Sequence, residues 1–118
     1  MTTLYGLTKC NTCDKAKNWL LRHRIECTFI DYREHPVDPA TLKQWSSALG
    51  GWEKLVNRSS MTWRNLPLAR KEPASDPEWT LLIKEYPALI RRPVTVLADG
   101  SVSVGFTDRQ YLLRFASK

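Results

Sequence analysis

The sequence predicts an α/β fold in which a strand–helix–strand unit opens the chain, a helical block follows, and a strand–strand–helix unit closes it. Three observations carry this expectation. Short runs rich in β-branched and aromatic residues stand near both ends, at 2–7 and 27–32 and again at 94–97 and 102–104. The segments between and after them repeat their apolar residues at helical spacing. The 118 residues suit one domain with one modest core, and no internal repeat, low-complexity stretch or linker divides them. The reading is therefore a single domain over 1–118, with a helical insertion over roughly 38–90.

Residues 2–7 read as a short buried strand and 8–10 as a loop. Asn11 or Thr12 is expected to cap the next helix, with Asp14 in its first turn favouring the positive end of the dipole. Ala16, Trp19, Leu20 and His23 follow at i, i+3, i+4 and i+7 on one face, and the helix fades near Arg24. Residues 27–32 form the second strand. A strand–helix–strand unit implies a right-handed crossover and parallel pairing. Asp38 can cap the next helix and Pro39 can take its first position. Leu42, Trp45 and Leu49 share its face, and Gly50-Gly51 ends it.

Residues 52–73, rich in Asn, Arg and Ser, read as irregular or short helical structure. Asp76-Pro77 opens another helix with Trp79, Leu82, Ile83 and Tyr86 apolar, and Pro87 closes it. After Arg91-Arg92-Pro93 comes a strand at 94–97. Asp99-Gly100 suits a type I′ hairpin turn, and 102–104 returns as its partner. Thr107 or Asp108 caps a final helix through Phe115.

With 42% hydrophobic and 25% charged residues the chain reads as globular rather than disordered. No apolar run approaches the ~20 residues of a membrane helix. The N-terminus shows no basic region followed by an apolar one, so the cytoplasm is the expected compartment, with no membrane partner. The net charge of +6 favours anionic partners such as an oxyanion, glutathione or an acidic protein surface. Lys and Arg form no dense run, so no direct nucleic-acid contact is expected, and the chain is read as a monomer.

The cysteines are the informative residues. Cys10 and Cys13 form a C-x-x-C pair at a strand–helix junction, whereas Cys27 stands alone. In a cytosolic chain this spacing marks redox or metal chemistry. A zinc site needs a second close pair of ligands, which Cys27, His23 and His35 do not supply, so no metal is expected. The bland alternative is two ordinary core cysteines. Their placement argues otherwise, because unpaired N–H groups and a positive dipole at a helix N-terminus stabilise a thiolate, the nucleophilic form. Lys9 adjoins Cys10, and Cys13, one turn on, is placed to resolve a bond that Cys10 makes. His23 and His35 read as surface residues, Cys27 as a small core side chain and the tryptophans as core or lid, with Trp63 able to line a peptide-shaped groove. No phosphate loop or dinucleotide fingerprint is present.

The string Leu4-Tyr5-Gly6 through Cys10-Asn11-Thr12-Cys13-Asp14-Lys15-Ala16, then Trp19-Leu20, resembles the opening of the arsenate reductase-related (ArsC/Spx) family. Asp31-Tyr32-Arg33, Gly51-Trp52-Glu53-Lys54-Leu55, Thr62-Trp63-Arg64-Asn65-Leu66, Arg91-Arg92-Pro93-Val94 and Val104-Gly105-Phe106 recur in the same order, so the likeness covers nearly the whole chain. It is most similar to the branch of small arsenate reductase-like bacterial proteins regarded as glutathione-dependent thiol reductases. The Spx transcription regulators form a sister branch.

The resemblance implies a thioredoxin-like fold with a helical insertion between the βαβ and ββα halves. It maps the nucleophile onto Cys10 and the active-site arginine onto Arg92, followed by Pro93 with a cis bond. It also implies Cys13 as a second redox residue and Lys9, Asn11, Thr12, Arg58 and Pro93 as substrate-binding positions. Arsenate reductases of this class surround the cysteine with three arginines. Here Arg58 is out of register by one residue and the third position falls near Gly105, so the oxyanion cage is incomplete. The expectation is thus a thiol/disulfide oxidoreductase with glutathione as co-substrate and no bound cofactor. The alternatives are an Spx-like redox regulator binding RNA polymerase and a glutathione-dependent arsenate reductase.

Overall fold

A computed structural model describes residues 1–116. Its elements run β1 (Thr2–Gly6), α1 (Asn11–Arg22), β2 (Cys27–Asp31), α2 (Pro39–Leu49), α3 (Trp52–Leu55), α4 (Met61–Arg64), α5 (Asp76–Glu85), β3 (Val94–Val96), β4 (Val102–Val104) and α6 (Asp108–Phe115). Single 3-10 turns lie at Leu68–Arg70 and Pro87–Leu89. The expected order is observed. No helix among the described residues is long and apolar enough to cross a membrane.

The chain forms two compact units, one of residues 1–31 with 92–116 and one of Tyr32–Arg91. The first holds a four-stranded sheet of order β2-β1-β3-β4. β1 and β2 pair in parallel, as the crossover requires, and β3 runs antiparallel to both β1 and β4. Leu4 from β1 packs with Ala16, Trp19 and Leu20 of α1 and Tyr111 of α6, and Phe29, Phe106 and Phe115 close around them. Trp19 meets Tyr111 edge-on at 5.3 Å, a favoured aromatic geometry. The Tyr111 hydroxyl shares a 2.6 Å hydrogen bond with Thr95 Oγ1, so both buried polar groups are satisfied.

The second unit is built from helices too short to be stable alone. Its signals behave as expected: Asp38 accepts from Thr41 N at 2.8 Å, Pro39 opens α2, and Gly50 caps it at φ 97°. Ser75 is the N-cap of α5, one residue ahead of Asp76-Pro77. Three tryptophans form a column, Trp79 stacking on Trp52 at 5.9 Å and on Trp63 at 6.1 Å. Asp76 accepts from Trp52 Nε1 at 2.8 Å.

Two local expectations need correction. The helix cap at α1 is Cys10 itself, and Asn11 and Thr12 are its first helical residues. The β3–β4 connection is also not a type I′ turn. That turn needs φ > 0 at both central residues, whereas among residues 98–100 only Gly100 is left-handed, at φ 87°. Gly100 N bonds to Leu97 O at 2.9 Å and Leu97 N to Ser101 O at 3.0 Å. The result is a three-residue loop, a type I turn followed by a left-handed glycine, with Asp99 Oδ1 accepting from Ser101 N and Oγ.

Candidate active site

Strand pairing brings four distant stretches to one end of the sheet. Gly6 stands opposite Asp31, Tyr5 opposite Val94, and Val94 opposite Val104. The β1–α1 loop, the end of β2, the Arg92–Pro93 step and Gly105 therefore converge, and Gly105 N donates to Pro93 O at 2.9 Å. The Arg92–Pro93 bond is cis, as the resemblance implied, and Pro93 is fully buried.

Cys10 closes the loop in extended conformation (φ −139°, ψ 118°), and its carbonyl accepts from Asp14 N at 2.9 Å to begin α1. Its side chain occupies the place where a serine or aspartate oxygen would meet the first free N–H groups. No complete capping hydrogen bond forms there, but the Cys13 N–H and thiol both face the Cys10 sulfur. Burial pushes the Cys10 thiol up, but Cys13 and the Arg92 guanidinium outweigh it and hold its pKa below the ordinary thiol value. Arg92 is the cation that acts on the sulfur, and Lys9 sits exposed in the loop before it.

Cys13 behaves in the opposite way. It is fully buried beneath β1, and a Cβ on Gly6 would lie 2.5 Å from its sulfur, so only glycine fits there. Burial pushes its thiol up to about 12, and the neighbouring Cys10 adds to the rise. The pair thus divides its roles. Cys10 is the thiol shifted towards its thiolate, and Cys13 is the one held to its proton, facing the Cys10 sulfur. All three cysteines are free thiols, and burial also pushes Cys27 up.

Of the residues expected at the site, Cys10, Cys13, Arg92 and Pro93 come together, with Asn11 and Thr12 in the first turn of α1. Arg58 belongs to the helical unit, where its guanidinium lies 5.6 Å from the Trp63 ring centre. Among the described residues no group of three or more metal-binding side chains stands together. Sequence reasoning missed Gly6, Thr8 and Asp31. Asp31 Oδ2 accepts from Thr8 N at 3.0 Å and also from Thr8 Oγ1, tying the loop ahead of Cys10 to the end of β2. The available signal was a β-turn-like Gly-Leu-Thr run meeting an acidic strand end, which becomes meaningful only once the parallel register is known.

Fold and site together define an α/β protein of the thioredoxin-like type, with a cysteine at the head of a helix and a cis-proline beside it. The family model described as the ArsC family matches residues 5–113, and the chain belongs to that family. It is 39% identical to an uncharacterized protein of Haemophilus influenzae, over 98% of this chain and all of the relative. It is 30% identical to the global transcriptional regulator Spx of Streptococcus pneumoniae, over 92% of this chain and 80% of that one. Among solved structures, the protein called YFFB superposes with a TM-score of 0.86 at 33% identity, covering 96% of this chain and 97% of that one.

Proposed function

We propose that this protein is a glutathione-dependent thiol–disulfide oxidoreductase with Cys10 as its nucleophile. The observation that carries the reading is the asymmetry of the pair: Cys10 is partly exposed with a lowered pKa, and Cys13 is buried with a raised one. Of the two, only Cys10 is accessible to a substrate, and it is the one that ionises more readily. The Cys10 thiolate attacks the glutathione sulfur of a mixed disulfide, forming a Cys10–glutathione disulfide. The other thiol leaves as thiolate and takes a proton from water. A second glutathione thiolate then attacks the bound glutathione sulfur, giving glutathione disulfide and restoring the Cys10 thiolate. Arg92 offers a planar fork to a glutathione carboxylate as well as a charge to the sulfur, and the basic surface favours an anionic tripeptide.

Arsenate is the poorer substrate in this reading. The oxyanion needs several converging donors, and Gly105 contributes no side chain. A Cβ at Gly105 would meet nothing within 4 Å, but its φ of 77° disfavours any other residue. The test supplies glutathione with either a glutathione mixed disulfide or arsenate. The expected result is clear turnover of the disulfide, lost in Cys10→Ser, with arsenate far slower. Disulfide turnover no faster than the uncatalysed exchange, or unaffected by Cys10→Ser, overturns the proposal.

The likeness to an Spx regulator supports a second reading, a redox-sensing regulator that binds RNA polymerase. A polymerase pulldown that responds to oxidation of Cys10 and Cys13, from a protein without turnover, would favour it.

A further inference from the structure

The loop of residues 7–10 has no helix or strand of its own to hold it, so its conformation depends on ties from its neighbours. One side chain supplies two of them. Asp31 stands beside Gly6 at the end of the parallel β1–β2 pair, where β1 hands over to the loop. Its Oδ2 accepts from both donors of Thr8, the backbone N–H at 3.0 Å and the hydroxyl. A charged acceptor strengthens both bonds. Thr8 lies two residues before Cys10 and follows Leu7, whose N–H faces the Cys13 sulfur. Any shift of Thr8 therefore moves the segment that sets Cys13 against Gly6 and Cys10 at the head of α1.

We propose that Asp31 is a positioning residue for Cys10: by clamping Thr8 it holds the loop of residues 7–10 where Cys10 meets the Cys13 N–H and Arg92. This role rests on the reading of Cys10 as the reactive thiol. Positioning and simple electrostatics predict opposite signs. A nearby carboxylate disfavours a thiolate, so removing its charge alone lowers the Cys10 pKa. Releasing the loop weakens the contacts that favour the thiolate and raises it. Cys13 and Arg92, which act on Cys10, the adjacent Lys9, and Asp14 in the first turn of α1 are unchanged in sequence across the variants.

The experiment follows iodoacetamide modification of Cys10 in the full reduced chain by peptide mass spectrometry, from pH 5 to 10. It compares the native protein with Asp31→Asn, Asp31→Ala and Thr8→Val, each checked for native circular dichroism. Asparagine keeps an oxygen for both Thr8 donors, so its midpoint is expected not to rise. In Asp31→Ala the midpoint is expected to rise by roughly half a pH unit, about threefold less thiolate near pH 7. Thr8→Val keeps the N–H bond and is expected to rise by less. An unchanged or lowered midpoint in Asp31→Ala overturns the proposal. If that variant does not fold, the same outcome in Thr8→Val overturns it. Failure of the native protein to react preferentially at Cys10 refutes the reading of the nucleophile instead, so the two failures are distinguishable.

Discussion

The sheet unit and the helical unit use their buried side chains to different ends. The sheet unit holds all three cysteines, and at the end that bears Cys10 the close contacts are made by small or rigid residues: Gly6 against Cys13, and Pro93 beside Gly105. The helical unit holds four of the five tryptophans, Trp45, Trp52, Trp63 and Trp79, and stacks three of them in a column. Backbone dipoles must approach a sulfur closely to favour its thiolate, and bulky side chains would prevent that approach. Four-residue helices such as α3 and α4 have the opposite need, since large aromatic areas are what makes them stable. The contrast predicts that substitutions in the first unit act on reactivity and those in the second on stability.

The sharpest break in that contrast comes from Cys10→Ser. It is expected to abolish both thiol modification at pH 6 and disulfide turnover while leaving the urea midpoint close to native. Residual turnover carried by Cys13 would show that the buried thiol is reachable. The helical counterpart is Trp52→Ala, which removes an 8%-exposed indole together with its stacking and its bond to Asp76. Its cost is about 3–5 kcal/mol, read from urea unfolding. A loss below about 1 kcal/mol would show that the column is decoration rather than core.

High pH sharpens the comparison within the sheet unit. Burial pushes both the Cys13 thiol and the Tyr111 hydroxyl up to about 12. Unfolded, these groups lose their protons near their ordinary values, whereas the folded protein retains them. Between those limits the unfolded state binds fewer protons, so stability falls as pH rises, by about 1.4 kcal/mol per pH unit for each proton. The fall is expected to begin near pH 9 with the thiol, to steepen above pH 10 with the tyrosine, and to end near 12. Cys13→Ala should flatten the first part of the curve. An identical curve in that variant would rule out the buried thiol as its source.

A smaller effect than these, though larger than that of Asp31→Ala, is expected for Arg92→Ala. Losing one charge-assisted contact should raise the Cys10 midpoint by roughly one pH unit. Arg92→Lys should recover part of that shift but not the affinity for a carboxylate, because a point charge lacks the fork. A midpoint unmoved by both substitutions would remove Arg92 from the site despite its place beside Cys10.

What the sequence determined by itself is everything governed by neighbours in the chain. The order of elements follows from apolar period, and Asp38, Pro39, Gly50 and Thr107 take their predicted capping positions because a cap is a contact over three or four residues. Cys10 was legible at the strand–helix junction for the same reason. Two local details escaped. Cys10 took the cap that Asn11 or Thr12 seemed chemically better suited to fill, and the hairpin gained a third loop residue. Each turns on one residue's backbone angles, which the tertiary frame selects among near-equal options. Only the tertiary structure decided which cysteine is shifted towards its thiolate, because that depends on Cys13 being pressed beneath Gly6 and on Arg92 arriving from 82 residues away in the chain. It also decided that Asp31 grips Thr8, since these residues stand 23 positions apart and the chain between them carries no signal of the parallel register that sets them side by side. Charge and burial act through space, and the chain records distance only along itself.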